Sequence, residues 1–234
     1  IRFFEASVSA ISMAVTALGM PRRYEFREEA AENAISIGLA GVAAELSMSA
    51  VIVQAQGENA LKFPTGFYKT GSHIVDDFKK LVESQVPKMM FLTQGVKEPS
   101  TQIANILEMT SKLKLIIKLR AGGLHAGRGP STDVSIACVN DVIAFIRLLG
   151  TSSRIKSYIE TLPKPIAIAK SYDLIIDELI QKVMRSNTDS EKVSSLASVY
   201  LVIPELPDDE PEWFPAFERA LITPQENDIS FLLD

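Results

Sequence analysis

The sequence predicts a mainly α fold, a helical bundle with a C-terminal helical extension, on three observations. Apolar residues recur at spacings of three and four through most of the chain, the signature of helices that bury one face. Only one short β-branched run, Val199 to Ile203, offers a strand or extended segment. The longest apolar stretch is interrupted by the small residues Gly38, Ala40, Gly41, Ala43 and Ala44, which let a neighbouring backbone come close. With 234 residues, 47% of them hydrophobic and 23% charged, the chain is large enough to bury a core and too apolar to be a disordered tail. We divide it into a helical domain over residues 1–162 and an extension over 163–234.

The elements follow in order. Ile1 to Met20 reads as a core helix; Glu5 interrupts its apolar run, so a secretory signal fits poorly. A second helix carries Ala30, Ala34, Ile37, Gly41, Ala44, Met48 and Ile52 on one stripe, with apolar residues on the neighbouring stripe as well, so it is expected to be covered on most sides. Gln56 to Gly71 reads as a loop that ends at Ser72, an N-cap for a short helix over 73–84. Pro87 to Pro99 is irregular. Ser100 then caps a helix with Ile103, Ile106, Leu107, Leu113, Ile116 and Ile117 on one face, and Gly122-Gly123 is its expected left-handed stop. Pro130-Ser131 opens the next helix, striped by Val134, Cys138, Val142, Phe145 and Leu149.

Beyond Leu162-Pro163-Lys164-Pro165, the residues Ile168, Tyr172, Ile175, Leu179 and Val183 outline an amphipathic helix with Asp173, Asp177 and Lys182 facing out. A weaker helix follows from Ser190. Glu205 to Pro215 is an acidic, proline-bearing linker, and Trp213, Phe214 and Phe217 are expected to dock the tail on the body.

Several function classes are excluded or made remote. A net charge of -5 and a pI near 5.2 give no global basic field, so nucleic-acid binding would need a local patch. Cys138 is the lone cysteine, which with two histidines is too little for a zinc site, and it points to a reducing, cytoplasmic setting. No metal and no cofactor is expected. Ala34 to Val53 has the 20 residues of a bilayer span, but its one charge, Glu45, would cost roughly 2.5 to 3.5 kcal/mol at the membrane centre, so a buried helix is the better reading and no membrane partner is expected. Cys138 falls on an apolar stripe and reads as a small buried hydrophobe. His73, beside an N-cap and far from other ligands, reads as a surface residue.

One stretch is basic. Between Met109 and Thr132 stand Lys112, Lys114, Lys118, Arg120 and Arg128 with no carboxylate among them. Lys114 and Lys118 share a helix face that could track a phosphate backbone; a solvated face near a helix C-terminus explains the same cations. Arg120 extends the buried stripe of Ile116 and Ile117, so its guanidinium starts at the edge of the core. His125 follows in the connector Leu119-Arg120-Ala121-Gly122-Gly123-Leu124-His125-Ala126-Gly127-Arg128, and the free N–H groups of the helix after Pro130 would face the same pocket. An arginine, a histidine and a helix N-terminus in one place supply fixed positive charge and a proton carrier for phosphoryl transfer without a metal.

The stretch Leu119 to Leu149 resembles the Arg-x4-6-His motif region of the HEPN superfamily, α-helical and often dimeric domains of prokaryotic toxins, antiviral defence systems and CRISPR-linked ribonucleases. The resemblance spans about Glu28 to Leu149 by helix pattern. It implies metal-independent RNA cleavage by attack of the 2'-hydroxyl on the adjacent phosphate, with Arg120 as the motif arginine and His125 as the motif histidine. The chain departs from the pattern at Ala121, where many active members carry a polar residue, and in the glycines that follow.

Glu45, alone in an apolar helix, must be paired, hydrogen-bonded or protonated, with Arg120 or His125 as the natural partner. It either orients the catalytic pair or forms an ordinary buried salt bridge. Two main readings result. One is a HEPN-like endoribonuclease, a homodimer with catalytic Arg120, His125 and Glu45 and with Lys112, Lys114, Lys118 and Arg128 on the RNA phosphate backbone. The other is a non-catalytic helical interaction module of a defence or toxin-antitoxin complex, with a protein partner or antitoxin, favoured by the acidic total and by Ala121. A DNA reader within Ser171 to Ile203 would need a basic helix, for which Lys182, Arg185 and Lys192 are thin material.

Overall fold

A computed structural model describes residues 1–19, 29–84, 98–126, 130–149 and 156–202. Its described residues form α1 (Arg2–Gly19), α2 (Glu29–Gln56), a 3-10 turn (Glu58–Leu61), α3 (Ser72–Glu83), α4 (Pro99–Ala126), α5 (Thr132–Leu149), α6 (Lys156–Glu160), α7 (Tyr172–Arg185) and α8 (Asp189–Val202). The mainly helical class is as the periodicity requires. The Glu205–Pro215 linker, Trp213, Phe214, Phe217, Arg128 and most of the Pro87–Pro99 stretch lie outside the described residues.

The apolar character of α2 on most of its sides decides the architecture, because such a helix must be surrounded. It packs against α1, the 3-10 turn, α3, α4 and α5, and Ala40, Ala43, Ala44 and Met48 are fully buried. Ala31–Gln56 is long and apolar enough to cross a membrane by length and composition, and 67% of that window is buried inside the protein. Against α1 the approach is close enough for hydroxyls to reach across. Ser7 donates to the Ala43 carbonyl at 2.7 Å and Ser36 to the Ala14 carbonyl at 2.9 Å. Against α4 the contact is Gly41, where a Cβ would fall 3.1 Å from Arg120 Cβ and 3.2 Å from the Ile116 carbonyl oxygen.

The α5 stripe of Val134, Cys138, Val142, Phe145 and Leu149 is buried throughout, and Phe145 meets Phe78 of α3 edge to face at 5.7 Å. The C-terminal helices α7 and α8 pair with each other, and α8 rests on α5 and α4. The chain is led there by a clamp: both amide atoms of Asn140 bond the backbone of Ile166, at 2.8 and 2.9 Å.

Helix ends depart from expectation. Gly71, with φ of 57°, stands at the N-cap of α3 in place of Ser72. Pro99 begins α4, so Ser100 lies inside it; the fixed φ of proline suits the first helical position. Gly122-Gly123 does not stop α4, which continues to Ala126, since glycine permits a left-handed turn without compelling one. The helix after Pro130 starts at Thr132, one residue late. Residues 199–202 are helical, because the face of α8 that holds Ala197, Tyr200 and Leu201 is buried and burial outweighs β-branching.

The Gly41 contact yields the first prediction. Gly41→Val should lower stability by about 1–3 kcal/mol, the usual cost of overpacking, read as a lower urea midpoint with unchanged slope. Gly19→Ala, where an added Cβ meets nothing within 4 Å, should leave the midpoint unchanged or slightly higher.

Candidate functional site

Position 120 is set by the α2–α4 contact. Ile116 and Ile117 of α4 are buried, Gly41 brings the two backbones together, and Arg120 leaves the core one turn later. Its Nη1 donates to Glu45 Oε2 at 2.7 Å. The pair is partly covered, with side chains 25% exposed for Arg120 and 14% for Glu45. The one carboxylate within the apolar stretch Ala34 to Val53 is thus neutralised by the arginine that the sequence singles out. A charge-assisted bond of this kind contributes about 1.5–3 kcal/mol when well buried, less here because a quarter of the arginine still meets solvent.

The basic stretch does not stand free. Lys112 is buried at 9% exposure and lies 3.7 Å from Asp141 of α5. Lys114 lies 3.3 Å from Asp76 of α3, and Lys118 is also engaged. The expectation of an open cationic strip is therefore corrected for Lys112 and Lys114: neighbouring helices bring the carboxylates that the stretch itself lacks. Burial raises the Asp141 carboxyl above its ordinary range, and Lys112 pulls it partly back. Burial likewise pushes the Cys138 thiol far up, which makes it an inert core residue.

The expected convergence at a connector is corrected as well. His125 belongs to α4 and not to a connector. On a continuous helix, positions five apart are rotated by about 140° around the axis, so positions 120 and 125 do not share a face. The N-terminus of α5 is held elsewhere. Asn33 of α2 donates to the Pro130 carbonyl at 2.8 Å and reaches Thr132 Oγ1 at 3.4 Å. Asn33 and Glu45 lie about 18 Å apart along the α2 axis, so Arg120 and the α5 N-terminus mark two separate places. The chain matches no family model, no curated protein and no solved structure. The HEPN resemblance accordingly rests on Arg120, His125 and their neighbours alone.

Of the remaining candidates, His73 is exposed and stacks edge to face with Phe63 at 5.1 Å. Among the described residues no three His, Cys, Asp or Glu side chains are grouped to hold a metal. Sequence reasoning missed a polar cavity of about 420 Å³ where the α5 N-terminus meets α7 and α8. The signal was present in part: free N–H groups after Pro130 and the outward Lys182.

Two tests follow. In a double-mutant cycle with Glu45→Met and Arg120→Met, each single variant should lose about 1–3 kcal/mol in urea unfolding and the double variant less than the sum; strict additivity would show that the two groups do not interact. For Asp141, a raised folded-state pKa means that the folded chain holds its proton more tightly than the unfolded one. Its contribution is therefore full below the ordinary carboxylate pKa and is lost as pH rises through the folded value. Asp141→Asn should flatten that fall in a stability-versus-pH profile.

Proposed function

We propose that the chain is a non-catalytic helical interaction module that pairs with a second copy of itself through α7. The observation that carries this reading is an apolar stripe on that helix. Tyr172, Ile180 and Met184, aligned with half-buried Ile176 at successive spacings of four, are 42%, 42% and 74% exposed. Large apolar side chains aligned on one exposed face mark an interaction surface more often than a scatter of single residues does. The charge order along α7 fits a two-fold partner. Asp173 and Asp177 occupy its first half and Arg185 its end, so two copies lying antiparallel set opposite charges against each other. Arg120 fits the same reading, since its guanidinium is committed to Glu45. The resemblance adds the setting, a defence or toxin-antitoxin complex with a protein partner or antitoxin in a cytoplasmic compartment.

One observation favours a second reading, a metal-independent endoribonuclease acting through Arg120 and His125 with Glu45 in support and Lys118 and Arg128 on the RNA backbone. Arg120 is a quarter exposed even while it holds Glu45, so a phosphate can still approach it.

Sedimentation velocity at high micromolar concentration should give a dimer for the wild type. Ile180→Asp combined with Met184→Glu should give a monomer of unchanged helical circular dichroism. A monomeric wild type would remove the pairing claim. Mixed RNA incubated with the protein in EDTA should stay intact; cleavage that disappears in His125→Ala would establish the nuclease reading in its place.

A further inference from the structure

The cavity of about 420 Å³ between the α5 N-terminus, α7 and α8 has the size of a small-ligand site and lies on the face of α7 away from the apolar stripe. Its floor is rich in donors. α5 is 18 residues long, and the N–H groups of its first turn have no intrahelical acceptor and carry the positive end of the helix dipole.

A second observation points to a ligand. Ser195 of α8 lines the cavity and is only 3% exposed, yet its hydroxyl has no hydrogen-bond partner among the described residues. The four serines with no exposure at all are each bonded, whereas Ser49, 5% exposed, shares the state of Ser195. Ser7, Ser36, Ser47 and Ser135 each donate to a backbone carbonyl. The Ser195 hydroxyl therefore keeps its donor and acceptor capacity for a molecule in the cavity.

The charges complete the case. Asp133 and Glu178 also line the cavity, but Lys170 lies between them, 3.6 Å from Asp133 and 2.6 Å from Glu178. Lys182 lines the cavity and forms no ion pair among the described residues. It brings the lining to balance before the helix dipole is counted, with Asp133, in the first turn of α5, held by Lys170. An ammonium, a hydroxyl and a row of backbone N–H groups are the donor set for an oxyanion with several acceptor oxygens.

We propose that this cavity binds a small phosphate-bearing molecule, with the phosphate seated on the α5 N-terminus between Ser195 and Lys182. The volume limits the ligand to metabolite size. The site is independent of Arg120, about 18 Å away along α2, and of the pairing surface.

The test is isothermal titration calorimetry of the full chain with inorganic phosphate, at ionic strength held constant with sodium chloride. Saturable binding is expected for the wild type and for Lys80→Gln, a change at an exposed lysine on α3. Lys182→Gln should weaken it by about tenfold or more, as loss of a charge-assisted bond does. Ser195→Ala should weaken it several-fold, and Ser195→Val should abolish it by filling the seat. Lys182 is exposed, so its variant remains informative if a Ser195 variant fails to fold. Absence of saturable heat, or equal binding by the wild type, Lys182→Gln and Ser195→Ala, would overturn the proposal.

Discussion

The close approach of α2 to its neighbours is the constraint from which the rest of the structure descends. A helix with apolar residues almost all round has no face to offer water, and its small residues let α1 and α4 come near enough to exclude it. At Gly41 the approach is close, with the Ile116 carbonyl and Arg120 Cβ just over 3 Å from where a Cβ would stand. Polar groups survive there only if they find partners across the contact. Ser7 and Ser36 do so with carbonyls, and Glu45 does so with Arg120. The same closeness that buries the carboxylate therefore delivers the cation that neutralises it.

That logic extends to the charges of α4. Its cations look like a binding strip when read along the chain and like the positive halves of interhelical pairs when read across the bundle. Asp141, Asp76 and Glu45 come from three different helices to meet Lys112, Lys114 and Arg120. A ligand phosphate would have to displace a carboxylate at each, whereas the first-turn carboxylate at the α5 N-terminus, Asp133, is paired with Lys170. The anion seat proposed at the α5 N-terminus accordingly lies away from the arginine-histidine region, on helices the motif does not include.

What was legible in the sequence follows from what is local. Stripes of apolar residues are set by helical spacing alone, so the buried face of α5 and the inert Cys138 could be read directly. Glu45 was legible for another reason: an isolated charge in an apolar helix forces a partner, and Arg120 was the cation nearest a core edge. Helix ends were less legible. Whether Gly122-Gly123 turns or continues depends on a free-energy difference of about 1 kcal/mol per glycine, which neighbouring helices override. The other ion pairs of α4 were not legible, since nothing in the sequence around Lys112 names Asp141. Nor was the cavity, which needs Ser195, Lys182 and the α5 N-terminus from three separate stretches.

The two proposals meet on α7. One of its faces carries Ile175 and Leu179 into the protein and Lys182 and Glu178 to the cavity; the other carries Tyr172, Ile180 and Met184 to solvent. A helix of 14 residues held mainly by its packing on α8 is marginal by itself. An anion bound between the α5 N-terminus, Ser195 and Lys182 would tie α7 and α8 to α5, and the conformational entropy lost in that step need not be lost again when a second copy docks on the outer face. Occupancy of the cavity and pairing through the stripe would then favour each other, without any contact between the ligand and the partner and with no change in backbone path. By reciprocity a dimer paired in this way would hold the anion more tightly than the monomer by the same factor.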